Sequence, residues 1–300
     1  MCIIDVAAAN PIGTLIVGGL SNGVLYALLV VGVVLVYQVG AAVNFAYGQF
    51  GAIAALVTVQ VSVAGHLPLG IGVAIGIAVG AALAAATQIS LFERLGVVGS
   101  SGRDLLVGLG LLLSLVSLTE TVFGVSSTRI PGLGADRTFV LGGAVLSVGD
   151  VIDIAVGAIL VVGVYWWLYR TSIGLRIRAT ALRTDVAEGV GINTRALKVV
   201  VWAVAGAYCA VAAVLFANQL SASADFMTDI IITVFVLALL GGPERYWIPV
   251  IVSVAYGMFF SVVEYIFGAN AGTPATFVVA VLVLMVLPKR LVGRAEAERA

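Results

Sequence analysis

Charge is scarce in this chain. Of 300 residues only 10% are Asp, Glu, Lys or Arg, while 62% are hydrophobic. An ordinary soluble domain carries about 25% charged residues, so a water-soluble fold of this length is excluded on composition. Fifteen basic and fifteen acidic residues cancel, which removes the basic surface that nucleic-acid binding requires. A single histidine, His66, rules out H-E-x-x-H and any metal site built on several imidazoles. Two cysteines, Cys2 and Cys209, make no disulfide framework. No G-x-x-x-x-G-K-[ST] loop is present for ATP, and the single histidine leaves no convincing Ser–His arrangement for a serine hydrolase. Met1 to Asn10 lacks a basic n-region, so a cleaved signal peptide is not expected.

What remains is apolar and long. A membrane crossing by an α-helix takes about 20 mostly apolar residues. Seven segments meet that length: about 12–37, 45–64, 68–92, 105–124, 151–169, 196–219 and 247–268. Two shorter ones, about 228–242 and 275–288, bring the expected number to nine, within a range of eight to ten crossings. Thirty-six glycines are spread through these runs rather than gathered in linkers, a pattern that suits close helix packing in lipid. The expected fold is an all-α polytopic membrane protein, one domain over residues 1–300.

Orientation follows from basic residues in short loops, which favour the cytoplasmic side. Ten of the fifteen fall in two places. Arg170, Arg176, Arg178, Arg183, Arg195 and Lys198 lie in a segment over about 170–198, and Lys289, Arg290, Arg294 and Arg299 in a tail over 289–300. Both are expected in the cytoplasm, together with Glu93–Asp104. Gly124–Asp150 and the N-terminus are then expected outside.

Two stretches stand out. "VNFAYGQF" places Asn44, Tyr47, Gly48 and Gln49 inside an apolar block with no charge nearby, too polar for a lipid-facing helix and too uncharged for a solvated loop. "ALRTDVAEGVGINTRALK" suggests one short helix over 185–190, with Thr184 as N-cap, Asp185 in its first turn and Gly191 as its terminator. In that reading Ala187 and Val190 offer an apolar face rimmed by arginine. Two acids, Glu120 and Glu264, lie within apolar segments near their expected outer ends. Without a basic partner in a span they make a poor proton relay.

These stretches resemble a family. "VNFAYGQF" is similar to the "NFAHGE"-like signature after the first helix of branched-chain amino acid ABC permeases of the LivH/LivM type. "RTSIGLRIRATALRTDVAEGVGIN" is similar to their cytoplasmic segment, including its "GIN" ending. "LALLGG", "VVEYIFG" and "VLMVLPKRLVGR" fall in the family's order and spacing, in a layout closer to LivH. The resemblance implies a type II ABC importer permease bundle and a subunit of an ATP-driven importer for branched-chain or related small amino acids. Urea or short amides are the alternative substrates, and a secondary transporter or channel the alternative class.

The same resemblance implies partners: a second, LivM-like permease or a second copy of this chain, two cytoplasmic ATPases that would carry ATP and Mg, and an extracytoplasmic substrate-binding protein. The chain itself is expected to bind no cofactor and to catalyse no reaction. Thr184, Asp185, Val186, Ala187, Glu188, Gly191, Ile192 and Asn193 would form the coupling helix and its exit. Asn44, Tyr47, Gly48, Gln49 and Glu264 would line the translocation path, at a broken helix start where irregular backbone is tolerated because it faces protein or water. Packing between helices is the competing role for that stretch. The chain departs from the family at Tyr47 and Gln49 (commonly His and Glu), at Leu182 and Arg183 (often an acidic pair), and at "PERYWIPV" in place of a Gly-rich turn. The last departure suggests a different loop at 243–249.

Overall fold

The computed structural model describes residues 11–40, 44–94, 101–124, 127–130, 134, 137–141, 144–243, 245–268, 274 and 278. Most of the apolar segment expected at 275–288, the basic tail and Cys2 lie outside the described residues.

Ten helices are described: α1 (Pro11–Gly40), α2 (Tyr47–Val59), α3 (Leu69–Thr87), α4 (Ser101–Phe123), α5 (Val148–Arg170), α6 (Ser172–Leu182), α7 (Thr184–Gly189), α8 (Thr194–Leu220), α9 (Phe226–Gly241) and α10 (Trp247–Phe267). Helix α2 runs on through a π-helical turn at Gln60–Ala64 and α3 through another at Gln88–Phe92. Seven of these are long and apolar enough to cross a membrane, and they coincide with the seven long segments read from the sequence. At 16 residues, α9 reaches about 24 Å at 1.5 Å per residue, short of the roughly 30 Å hydrocarbon core.

Helix α1 is the axis of the bundle. It is 30 residues long, apolar all round, and buried along most of its length, as a helix without a polar face must be. Its neighbours approach to backbone contact because small residues meet. A Cβ at Gly257 of α10 would lie 2.2 Å from the Gly23 nitrogen of α1. A Cβ at Gly206 of α8 would lie 2.5 Å from the Gly80 carbonyl oxygen of α3. In lipid, where apolar side chains gain nothing by leaving the solvent, such close approach supplies the van der Waals contact that holds helices together.

The bundle is all-α as expected, and one short hairpin lies within the segment expected as a loop at 124–150. Strands β1 (Thr138–Leu141) and β2 (Ala144–Ser147) pair antiparallel, Thr138 opposite Ser147. The hairpin leads into α5 through a capping box: Ser147 Oγ accepts from the Gly149 amide at 3.0 Å, and Asp150 Oδ2 from the Ser147 amide at 3.2 Å. The Val145 amide donates to Thr14 Oγ1 at 3.1 Å, so the hairpin covers the start of α1. Thr128 and Ala222 form a bridge at that same end. Two strands of four residues each carry no periodicity long enough to be read from sequence.

The two ends of the bundle are therefore distinct. One gathers the starts of α1 and α5, the hairpin and the end of α8. The other gathers α6, α7 and the start of α8. At this second end Tyr246 is buried, donates its hydroxyl to the Val161 carbonyl of α5 and packs with Tyr165 and Trp247. Within the bulky 243–249 stretch, Tyr246 thus has an internal packing role.

Candidate functional site: a broken helix start and a short terminal helix

Helix α2 begins in the middle of the bundle. The Tyr47 hydroxyl donates to the Ala205 carbonyl of α8 at 3.0 Å. Ala205 lies about 16 Å along α8 from its Thr194 end and about 22 Å from its Leu220 end, so Tyr47 sits at membrane depth. A helix starting there leaves its first amides without intrahelical partners. Asn44 supplies one: its Oδ1 accepts from the Ala46 amide at 3.0 Å. The Asn44 carbonyl accepts from the Tyr47 amide at 3.1 Å. Gly48 lets Ile231 of α9 approach, a Cβ there being 3.1 Å from the Ile231 Cβ.

Asn44, Tyr47 and Gln49 are all buried, yet they are not fully satisfied. Gln49 Nε2 donates to Thr228 Oγ1 at 3.3 Å, while its Oε1 and the Asn44 Nδ2 have no partner. Asn44 and Tyr47 border a void of about 10 Å³ with Val33, Val36, Trp202 and Phe235, close to the least that holds one water. Glu264 does not join them. It is half-buried near the end of α10, past Ser261, which packs beside Gly19 of α1. Gly19 is about 20 Å along α1 from Gly32, which abuts Tyr47. Glu120 is exposed on α4.

At the opposite level, α7 is the short helix expected in the basic segment, and it ends as expected. Gly191 has φ +86°. Its amide donates to the Glu188 carbonyl at 2.9 Å and the Ile192 amide to Ala187 at 3.0 Å, the paired bonds of a Schellman stop. Two details differ. Thr184 is the first helical residue rather than the cap, and its hydroxyl donates to the Thr180 carbonyl at 3.2 Å. Ala187 does not face outward: it is 3% exposed, because the α6–α7 turn folds it onto this chain, whereas Val186 is 53% and Val190 74% exposed. With Leu182, also exposed, these two valines make the outward apolar surface.

Polar ties hold α7 to the bundle. Thr194 Oγ1 donates to Glu188 Oε1 at 2.5 Å, and Asn193 caps α8 by accepting from the Ala196 amide at 3.0 Å. Ile192 packs against the main core. Arg195 pairs with Glu93 at the end of α3. Glu93, Glu188, Thr194, Arg195 and Lys198 line a cavity of about 240 Å³ behind α7. The Arg183 guanidinium donates to both Asp185 carboxylate oxygens, at 3.1 and 2.7 Å. Those hydrogen bonds hold the Asp185 carboxyl down at about 2 and push the Arg183 guanidinium up. Arg178 lies 4.9 Å from the Tyr169 ring centroid. Several arginines expected to face a partner are thus engaged within the chain.

One buried acid was not singled out in the sequence. Asp153, 1% exposed, sits inside α5. Its Oδ2 accepts from Gln219 Nε2 of α8 at 2.7 Å and from Ser21 Oγ of α1 at 3.2 Å, and its Oδ1 has no partner. The signal was available: Asp150 completes the capping box, so an acid one turn further along lies within the apolar helix proper.

A single bundle with seven helices long and apolar enough to cross a membrane is the architecture of a polytopic membrane protein. The chain belongs to the family described as the permease component of the branched-chain amino acid transport system, whose model matches residues 15–287. It is similar to the high-affinity branched-chain amino acid transport system permease protein BraD of Pseudomonas aeruginosa, with 23% identity over 302 residues, covering 95% of this chain and 96% of the relative.

Proposed function

We propose that this chain is the permease subunit of an ATP-driven importer for branched-chain or related small amino acids, and that it sits in the cell membrane with the α6–α7 end and the C-terminal tail in the cytoplasm. The observation that carries the coupling half of this reading is α7: a six-residue helix stopped sharply at Gly191, tied to α8 through Glu188 and Thr194, and presenting Val186 and Val190 outward. A rigidly mounted apolar knob transmits displacement in either direction. It would seat in a groove on a cytoplasmic ATPase, which carries the ATP and Mg. Ion pairs at its exposed rim contribute only about 0–1 kcal/mol each, so the valines set the seating.

The substrate half rests on family membership and on the start of α2. Asn44 Nδ2 and Gln49 Oε1 are polar atoms at membrane depth without partners, each of which costs about 1–3 kcal/mol when left unpaired. Such groups are retained where the path opens to water and substrate during transport. A second permease chain would complete the path, and an extracytoplasmic binding protein would deliver substrate to the hairpin end. Co-purification of the chain with two ATPases, followed by uptake of labelled leucine and urea into reconstituted vesicles, tests the reading. Leucine uptake is expected; uptake of urea alone would move the substrate to the amide class.

A further inference from the structure

We propose that Asp153, held by Ser21 and Gln219, is the binding site for the ammonium group of the transported amino acid near the hairpin end of the bundle. The proposal rests on the transport reading above and adds to it the group that recognises the substrate's amine.

The local chemistry is one-sided. A carboxyl group removed from water requires either full hydrogen bonding or a neutralising partner. Here both available donors converge on Oδ2, leaving Oδ1 bare. Gln219 spans the pair, since its Nε2 also lies 3.4 Å from Ser21 Oγ. Three helices therefore contribute one residue each, fixing the carboxylate plane while keeping one oxygen free. No cation answers it among the described residues. At this end Arg129 donates to Ser221 Oγ at 3.4 Å, and Asp150 is occupied by the Ser147 amide.

Packing alone does not require an acid. Asparagine is nearly isosteric and would accept the same two bonds on its oxygen without the desolvation cost of a charge. An ionisable residue at membrane depth is by default a functional group.

The donor set selects the ligand. A hard metal cation takes six or more oxygens, whereas this site offers a carboxylate and a hydroxyl, with the Gln219 amide presenting its N–H side. No group of three or more metal-ligating side chains occurs among the described residues. A primary ammonium brings three donors and needs only a carboxylate with one or two further acceptors. The location fits entry: Asp153 is about 8 Å along α5 from its capped start, and Gln219 is one residue from the end of α8.

The test uses the complete transporter, permease with ATPases and binding protein, in vesicles. In Asp153→Asn the KM for leucine is expected to rise at least tenfold per folded molecule, with a rise of about two- to threefold for Ser21→Ala. In the wild-type complex, leucine is expected to protect Asp153 from a hydrophobic carbodiimide, and 4-methylpentanoate, the same skeleton without the amine, is not. Equal protection by both compounds, or an unchanged KM in Asp153→Asn, would make the acid a neutral packing residue and overturn the proposal. If Asp153→Asn fails to fold, the protection experiment decides by itself. Wild-type vesicles that take up leucine without any protection of Asp153 would sink this site and leave the transport reading standing. Failure of wild-type uptake would sink both.

Discussion

Tyr47 and Gly32 are shaped to each other: a methyl group at Gly32 would lie 1.8 Å from the Tyr47 hydroxyl oxygen and 2.7 Å from the ring carbon that bears it. The phenol crosses α1 at a notch to reach the Ala205 carbonyl on α8, so three helices are keyed by one side chain. Gly32→Ala is expected to destabilise the bundle by about 1–3 kcal/mol, the usual cost of overpacking. Tyr47→Phe removes only a hydrogen bond, worth about 0.6 kcal/mol on average between membrane helices. Because Phe also vacates the clashing oxygen, the double variant is expected to be less damaged than the sum of the singles. Thermal unfolding of all four proteins in one detergent measures the coupling.

Glycines of the packed helices α1 and α10 differ sharply in tolerance. A Cβ at Gly257 would run into α1 backbone, while one at Gly18 meets nothing within 4 Å. Gly257→Ala is expected to abolish the folded fraction or lower its melting temperature strongly. Gly18→Ala is expected to be neutral, or stabilising by up to ~1 kcal/mol through reduced unfolded-chain freedom. Size-exclusion profiles of the two variants check this, and equal behaviour would contradict the helix contact.

The exposed and buried faces of α7 separate docking from folding. Val190→Asp is expected to eliminate ATPase association while leaving the permease monodisperse, since Val190 touches solvent. Ala187→Glu is expected to damage the fold itself, since Ala187 is buried against its own chain. A pull-down scored against permease yield distinguishes the two.

The Arg183–Asp185 pair fixes a pH window. The Asp185 carboxyl is depressed to about 2 by Arg183, below its unfolded value near 4. A depressed carboxyl contributes stability that is fully present above about pH 4 and is lost as pH falls through about 2. Titration of this pair is therefore expected to leave ATPase association unchanged from pH 5 to 8. Arg183→Gln should return the Asp185 midpoint towards 4, read by carbon NMR of the labelled side chain; a midpoint still near 2 would assign the shift to another group.

Much of this was legible in the residues because lipid enforces simple rules. Seven long apolar runs became the seven long helices, and Gly191, the one residue type that adopts a left-handed stop freely, ended α7 where expected. What escaped depends on three-dimensional neighbours. Ala187 and Val186 differ by one position in a short helix, and only the α6–α7 turn decides which faces inward. Asp153 lies in a run read as starting at 151 and was not singled out; the capping box at Asp150 places it inside α5. Glu264 was grouped with Asn44 through the family resemblance, and the course of α10 along α1 sets them apart. The hairpin and the inward packing of Tyr246 follow from contacts with α1 and α5 that no local pattern encodes.

The most direct test of the central claim is the energy source of transport. Vesicles containing the purified permease assembly, its ATPases and the binding protein are supplied with labelled leucine, with and without ATP on the α7 side. The account predicts accumulation against a gradient that requires ATP and disappears in Val190→Asp, with the folded permease still present. Accumulation without ATP, driven by an ion gradient or simply equilibrating, would contradict it and identify a secondary transporter or channel.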